Sequence, residues 1–227
     1  MVVVVIPTLN EEKTIGTLAL AVRLMGYKVV VIDGGSTDRT VERALQAKAT
    51  VFPYYRGYQE QVTAGWALAL ALGADRIVQM DAGGSHSPDD LWHLLQSDAD
   101  LVIGSRFMFG SAYLGKPLRA LGSRFAAFML NFARHSRYTD WTSGFRVWKR
   151  EALEKVSRQV WLTKGHAWQM ETLFEAGERG LTVEEKPILY EAGRSYMGLR
   201  DVFDAIGVWI WVFFAGPARD ASGRRYG

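Results

Sequence analysis

The sequence predicts an α/β fold: a mostly parallel central sheet with helices on both faces. Three observations lead there. Short apolar runs alternate with helix-spaced patterns through the first hundred residues, as strands joined by crossover helices do. Polar clusters follow the first, second and fourth of these runs, where open α/β sheets bind ligands. The chain has 227 residues, 48% of them hydrophobic and 22% charged. That is enough for one buried core and is ordinary globular composition.

The elements follow in order. Residues 2–6 (VVVVI) read as a buried strand ending at Pro7. The run is too short for a signal peptide and lacks a basic leader. Asn10 reads as an N-cap, with Glu11 and Glu12 in the first helical turn, where the helix dipole favours acids. Ile15, Leu18, Val22 and Met25 continue at helical spacing until Gly26, so a helix is expected over 11–25. Further strands are expected at 28–32, 50–52, 76–80 and 100–104, and helices at 39–47, 59–72 and 88–96. Ser87, Pro88, Asp89 and Asp90 supply the last helix with a cap, a proline at N1 and two first-turn acids. The second half predicts a helix over 117–134, a strand at 145–148, a helix over 166–178, a strand at 182–190 and an amphipathic to apolar helix over 199–214. No apolar stretch reaches the roughly 20 residues of a spanning helix. Residues 217–227 read as a mobile tail.

Charge and composition exclude some classes. The formal charge is +3 and the pI about 9.1, which permits anionic partners. No dense Lys/Arg stripe suggests nucleic acid. There is no cysteine, hence no disulfide and no Cys-ligated zinc.

The rim clusters are Pro7-Thr8-Leu9-Asn10-Glu11, Asp33-Gly34-Gly35-Ser36-Thr37-Asp38 and Asp81-Ala82-Gly83-Gly84-Ser85-His86. Any one of them could be an ordinary turn; three on one rim suggest a site. PTLNEE, VVVIDGGSTDRT and VQMDAGGSHSPDDL together resemble the family 2 glycosyltransferases of the GT-A fold. GSRF at 104–107, LRALGS at 118–123, DWTSGFRVWKREALEKV at 140–156 and KGHAWQMETLFEAGERG at 164–180 narrow the resemblance to the dolichyl- and polyprenyl-phosphate mannosyltransferases.

The resemblance implies a single GT-A domain over 1–216. Residues 1–104 would form a nucleotide-sugar half and 105–216 an acceptor half ending in an interfacial helix. It implies a GDP-mannose or UDP-hexose donor, Mg²⁺ or Mn²⁺, and a polyprenyl phosphate acceptor. It also implies a peripheral position at the cytoplasmic face of a membrane, with room for an anchoring partner subunit. Pro7, Leu9, Glu11 and Asp33 would line the base and ribose pocket, with Arg56 and Arg194 also on the donor side. Asp81 would hold the metal, with Ser85 as a weak second ligand. Arg106, Arg119 and Ser123 would take the acceptor phosphate. Asp81, Glu171 and Arg106 are the catalytic candidates. His86 falls where relatives also carry histidine, and the turn at 140–146 would shape the sugar and acceptor end.

Chemistry supports parts of this. Guanidinium forks and a hydroxyl suit a phosphate monoester. Such an acceptor, with a second pKa near about 6, is already anionic at neutral pH and needs no strong general base. A hard cation on a carboxylate offsets charge on a departing diphosphate. Gln169 and Glu171 are two apart on one helix and do not share a face, and Glu171 is the better candidate. Two departures fall on the donor side. The family's Asp-Ala-Asp reads Asp-Ala-Gly here, so Gly83 offers no ligand. Its Arg-x-x-Gly-x-Ser-Lys loop reads Tyr190-Glu191-Ala192-Gly193-Arg194-Ser195-Tyr196. At the C-terminus Val202, Phe203, Ile206, Trp209, Ile210, Phe213 and Phe214 share a helical face, which suits either core packing or a membrane interface. Two rival functions remain: transfer to a saccharide or protein hydroxyl, and a non-catalytic relative that binds nucleotide or lipid.

Overall fold

Alternation along the first strand fixes the architecture. A computed structural model describes residues 1–53, 57–115, 117–158, 161, 163, 165–191, 206–208, 210–212 and 214, except for the side chains of Leu118 and Arg119. In β1 (Val2–Thr8), Val3 and Val5 enter one apolar cluster while Val4 and Ile6 enter another. This period of two, apolar on both sides, belongs to a strand covered on both faces.

The chain continues through α1 (Ile15–Leu24), β2 (Lys28–Asp33), α2 (Thr40–Gln46), β3 (Thr50–Pro53), α3 (Tyr58–Ala71) and β4 (Arg76–Gln79). A 3-10 turn (Pro88–Asp90) leads into α4 (Leu91–Leu95). Then come β5 (Leu101–Ser105), β6 (Ala112–Leu114), α5 (Pro117–Arg134), β7 (Arg146–Lys149), α6 (Arg150–Val156), α7 (Trp168–Glu178), β8 (Val183–Pro187) and β9 (Leu189–Glu191). Seven strands form one sheet in the order β3-β2-β1-β4-β7-β5-β8, and β6 pairs with β9 in a small second sheet. In the large sheet only β7 runs antiparallel to its neighbours. The carboxyl ends of β1, β2, β4 and β5 therefore share one rim with the amino end of β7. On the Val3 and Val5 face of the sheet Trp66 of α3 meets Trp148 of β7 and Trp168 of α7, with ring centroids 5.8 and 4.9 Å apart.

The mostly parallel sheet agrees with expectation, and several boundaries do not. β1 continues through Pro7, which pairs with Ile32. The β4 register ends at Val5, so the proline, which has no N–H, sits where only one neighbour needs bonding. Asn10 caps no helix. It adopts φ 56° and its Oδ1 accepts from the Thr37 N–H at 2.8 Å, so α1 begins at Ile15. The expected strand 182–190 is two strands broken at Ile188, whose N–H donates to the Ser105 carbonyl. β6 and α6 were not expected. Ser87 does cap the 3-10 turn, accepting from the Asp89 N–H.

Most of the helix expected over 199–214 lies outside the described residues, including Val202, Phe203, Trp209 and Phe213. Residues 206–208, 210–212 and 214 are helical. Val208 and Val212 are buried, Trp211 packs edge-on against Phe174, and Ile206, Ile210 and Phe214 are exposed. This stretch thus packs on the core and also presents an apolar face. No helix among the described residues is long and apolar enough to cross a membrane.

Candidate active site

The rim is built by loops that hold one another. The Gly34 N–H donates to the Thr8 carbonyl at 2.8 Å, and the Asn10 N–H donates to Ser36 Oγ at 2.9 Å. Asp33 is buried and accepts from the Gly35 and Ser36 N–H groups at 3.0 Å and from the Ser36 hydroxyl. Its carboxylate closes its own turn. Leu9 is 56% exposed at the rim. Glu11 is half-buried, and its N–H donates to Thr40 Oγ1 at 2.7 Å. Arg56 and Arg194 lie outside the described residues.

Asp81 stands just beyond β4, at the centre of the rim. Tyr58 donates its hydroxyl to Asp81 Oδ1 at 2.9 Å. Gln79 and Gln169, both buried, each donate an amide N–H to Tyr58 Oη at 3.1 Å. The Tyr58 ring stacks on His166 at 4.6 Å. Burial, with the Asp81 charge adding to it, keeps the Tyr58 phenol protonated well above its usual range. His86 Nδ1 accepts the Asp81 backbone N–H at 3.2 Å, and Nε2 lies 3.9 Å from Asp81 Oδ2. Burial pushes the His86 pKa down, outweighing the pull of Asp81, so the ring is neutral and carries its proton on Nε2. Gly144 touches this group from the other side: a Cβ there would lie 3.0 Å from Tyr58 Oη and 3.2 Å from both Asp81 oxygens.

Among the described residues no three His, Asp or Glu side chains gather as a metal cage. Asp81 offers one carboxylate. Ser85 lines a cavity of about 360 Å³ with Thr14, Thr17 and Glu191 instead, on the α1 side. This donor set suits a hard cation that takes the rest of its shell from water and phosphate oxygens, as Mg²⁺ does. Gly83 is not among the positive-φ residues, whereas Gly84 has φ +75°. The left-handed turn belongs to Gly84.

Arg106 begins where β5 ends. Its Nε and Nη2 bind Asp140 in a fork, both at 2.7 Å, and Nη2 also donates to Thr142 Oγ1 at 2.6 Å. Both partners are buried. Burial opposes the charge on Arg106, but Asp140 outweighs it and raises its pKa further. The guanidinium also sits 5.0 Å from the Phe107 ring and 5.2 Å from the Tyr190 ring. An anion meeting Arg106 would share it with a carboxylate. Tyr190, at one of the family's basic positions, stacks on Tyr113 at 5.3 Å and is bridged through its backbone to His86. Ser123 is half-buried on α5, at the spacing of buried Ala127 and Leu130. The Arg119 backbone lies in α5.

The α7 contribution differs from expectation. Glu171 is buried and accepts from the Thr163 N–H at 2.8 Å and from its hydroxyl. Gln169 is the α7 residue that reaches Tyr58. Arg146 lies fully buried beneath the 140–144 turn, donating to the carbonyls of Ser143, Gln169 and Trp141. Burial brings its pKa down to about 10. Tyr58 and Gln79 were invisible as site residues, because their contacts join segments far apart in sequence; Arg146 was expected in the 140–146 turn and lies beneath it.

On α5, Leu121, Phe125, Phe128 and Phe132 form one stripe at spacings of four, three and four. They are 64% to 69% exposed, while Ala127 and Leu130 on the opposite side are buried.

Comparison with known proteins gives the family and the fold. The family model described as "Glycosyl transferase family 2" matches residues 3–157. The chain is 32% identical over 224 residues to polyprenol monophosphomannose synthase of Mycolicibacterium smegmatis, covering 89% of this chain and 83% of the relative. It is 32% identical over 226 residues to undecaprenyl-phosphate mannosyltransferase of Micrococcus luteus, covering 90% of each. To the UDP-N-acetylglucosamine–dolichyl-phosphate N-acetylglucosaminyltransferase of Methanococcus voltae the identity is 28% over 216 residues, covering 83% of this chain and 84% of the relative. Among solved structures, glucosyl-3-phosphoglycerate synthase of Mycobacterium tuberculosis, crystallised with Mn²⁺ and UDP-glucose, superposes with a TM-score of 0.71 at 20% identity, covering 96% of this chain and 80% of that one. That likeness is one of fold, the GT-A fold.

Proposed function

The chain belongs to glycosyl transferase family 2, and from that membership we propose that it moves a hexose from a nucleotide diphosphate to a polyprenyl phosphate with inversion. It is a glycosyltransferase; the acceptor, the donor and the residue roles are our reading. The observation that carries the acceptor is the 32% identity, over about nine-tenths of the chain, to two enzymes named for polyprenyl phosphate acceptors.

An acceptor phosphate oxygen attacks the anomeric carbon from the face opposite the diphosphate. A carbon–oxygen bond forms to the acceptor, the bond to the diphosphate breaks, and the nucleoside diphosphate leaves. The anionic acceptor needs no strong base. Asp81 is the residue to hold Mg²⁺ or Mn²⁺. When bound, the cation offsets charge on the leaving diphosphate. The loops at 7–11 and 33–38 take the nucleoside, and the donor is GDP-mannose or a UDP-hexose. Arg106, Arg119 and Ser123 take the acceptor phosphate, with Arg106 also holding the 140–144 turn in shape.

The α5 stripe supports a membrane-surface position. Residues 107–139 contain Lys116, Arg119, Arg124, Arg134 and Arg137 and no acid; of these Arg134 is paired with Glu178. An apolar helical face among basic residues suits an anionic bilayer, where a polyprenyl chain resides. The exposed Ile206, Ile210 and Phe214 would add to that contact.

The test is transfer from radiolabelled nucleotide sugars with polyprenyl phosphate, free saccharide or peptide as acceptor. Label is expected in the lipid phase only when polyprenyl phosphate is present, and Asp81→Asn is expected to lower the rate by on the order of 100-fold. Transfer to saccharide or peptide with no use of the lipid would overturn the acceptor.

A further inference from the structure

We propose that Tyr58 is a positioning residue that restricts Asp81 to one-oxygen coordination, and so selects Mg²⁺ over Ca²⁺. This rests on the reading of Asp81 as the cation ligand.

The geometry is specific. Tyr58 Oη lies between three partners: Gln79 Nε2 and Gln169 Nε2 at 3.1 Å, and Asp81 Oδ1 at 2.9 Å. A phenol oxygen has one proton to give and can accept two. Both amides donate to it, so the proton is directed at Asp81. A carboxylate also outcompetes a neutral amide oxygen for it. The three anchors come from α3, β4 and α7, and the ring is held by its stack on His166. Gly144 packs against the same carboxylate, close enough that a Cβ would stand 3.2 Å from each oxygen. Only a glycine at 144 leaves the carboxylate room, and Asp81 cannot turn Oδ1 away without breaking the Tyr58 bond. Oδ2 is the oxygen left for a cation.

One carboxylate oxygen suits Mg²⁺, which requires near-octahedral geometry and keeps water and phosphate in its shell. Ca²⁺ takes six to eight oxygens and often grips a carboxylate with both. The hydrogen bond to Oδ1 makes that two-oxygen grip compete with the Tyr58 hydroxyl. Gly83 makes the effect matter more, because no second carboxylate in the triplet can compensate. A role in packing alone would leave cation preference untouched.

The experiment measures thermal stabilisation and calorimetric binding of Mg²⁺, Mn²⁺ and Ca²⁺ to the full chain with UDP or GDP present. It compares wild type, Tyr58→Phe, Gln169→Leu and Asp81→Asn. Tyr58→Phe keeps the stacked ring and removes only the hydroxyl. It is expected to weaken Mg²⁺ by about tenfold, the usual scale for a partner of a metal ligand, while Ca²⁺ weakens less or tightens. Gln169→Leu is expected to shift the ratio the same way by less. An unchanged Mg²⁺-to-Ca²⁺ ratio in a folded Tyr58→Phe overturns the role of Tyr58 and leaves Asp81 standing, provided Asp81→Asn abolishes binding of all three. If Asp81→Asn binds them normally, the metal reading of Asp81 fails and this inference with it.

Discussion

Arg106 and Asp140 decide the most at the scale of single residues. Isolated in the sequence, Arg106 reads as a phosphate ligand; folded, its Nε and Nη2 edge also holds a buried carboxylate, with which a phosphate would share it. Removing one partner of such a pair leaves an uncompensated buried charge. Arg106→Leu is therefore expected to cost about 3–5 kcal/mol of stability at pH 7, measured by urea unfolding. Burial alone would raise the Asp140 pKa, but Arg106 and the Arg106 and Thr142 N–H groups outweigh it and hold it below the usual carboxylate range. The stability Asp140 contributes is thus complete above the unfolded value, about 3.9, and is lost as pH falls through the lower folded one. The gap between wild type and Arg106→Leu is expected to narrow from pH 7 toward pH 3. A gap that stays constant with pH would mean that the pair is not what the variant removed.

At the scale of elements, α5 is expected from the sequence simply as a long helix, and in the fold its stripe of Leu121, Phe125, Phe128 and Phe132 points outward. Leu130 and Ala127 anchor it, and Asn131 ties it to the next loop by accepting from Tyr138 N–H and Trp141 Nε1 and donating to the Tyr138 carbonyl. Because Phe125 and Phe128 are about two-thirds exposed, replacing both with serine removes little buried area. Unfolding temperature is expected to stay within a few degrees. Flotation with vesicles containing anionic lipid is expected to fall strongly. Unchanged flotation would remove α5 from the membrane contact and leave the exposed residues near 206–214 as the candidate.

For the whole molecule, the rim works only as an assembly. β1, β2, β4, β5 and β7 bring loops separated by up to about 130 residues to one edge. A ligand bound there belongs to the folded state alone and stabilises it by RT ln(1 + [L]/Kd), about 2.7 kcal/mol at a hundred times Kd. In a panel of GDP-mannose, UDP-glucose and UDP-N-acetylglucosamine with Mg²⁺, one nucleotide is expected to raise the melting temperature clearly above the others, and a chelator is expected to abolish the difference. Equal shifts for all three would mean that the rim does not discriminate the base.

The sequence by itself determined what local physics controls. Short apolar runs made the buried strands, Ser87 and Pro88 made the turn before α4, and the polar clusters fell on the rim because strands of a parallel sheet end together there. It also determined the family, since PTLNEE, DGGSTD, DAGGSH and TSGFR are contiguous strings. Only the tertiary structure decided which side chains meet. Tyr58 reaches Asp81 across 23 positions and Gln169 across 111. Glu171 turned inward to Thr163, and the apolar stripe of α5 turned outward. These outcomes depend on three-dimensional neighbours that no local pattern encodes, because hydrogen bonds and burial depend on distance in space and not on separation along the chain.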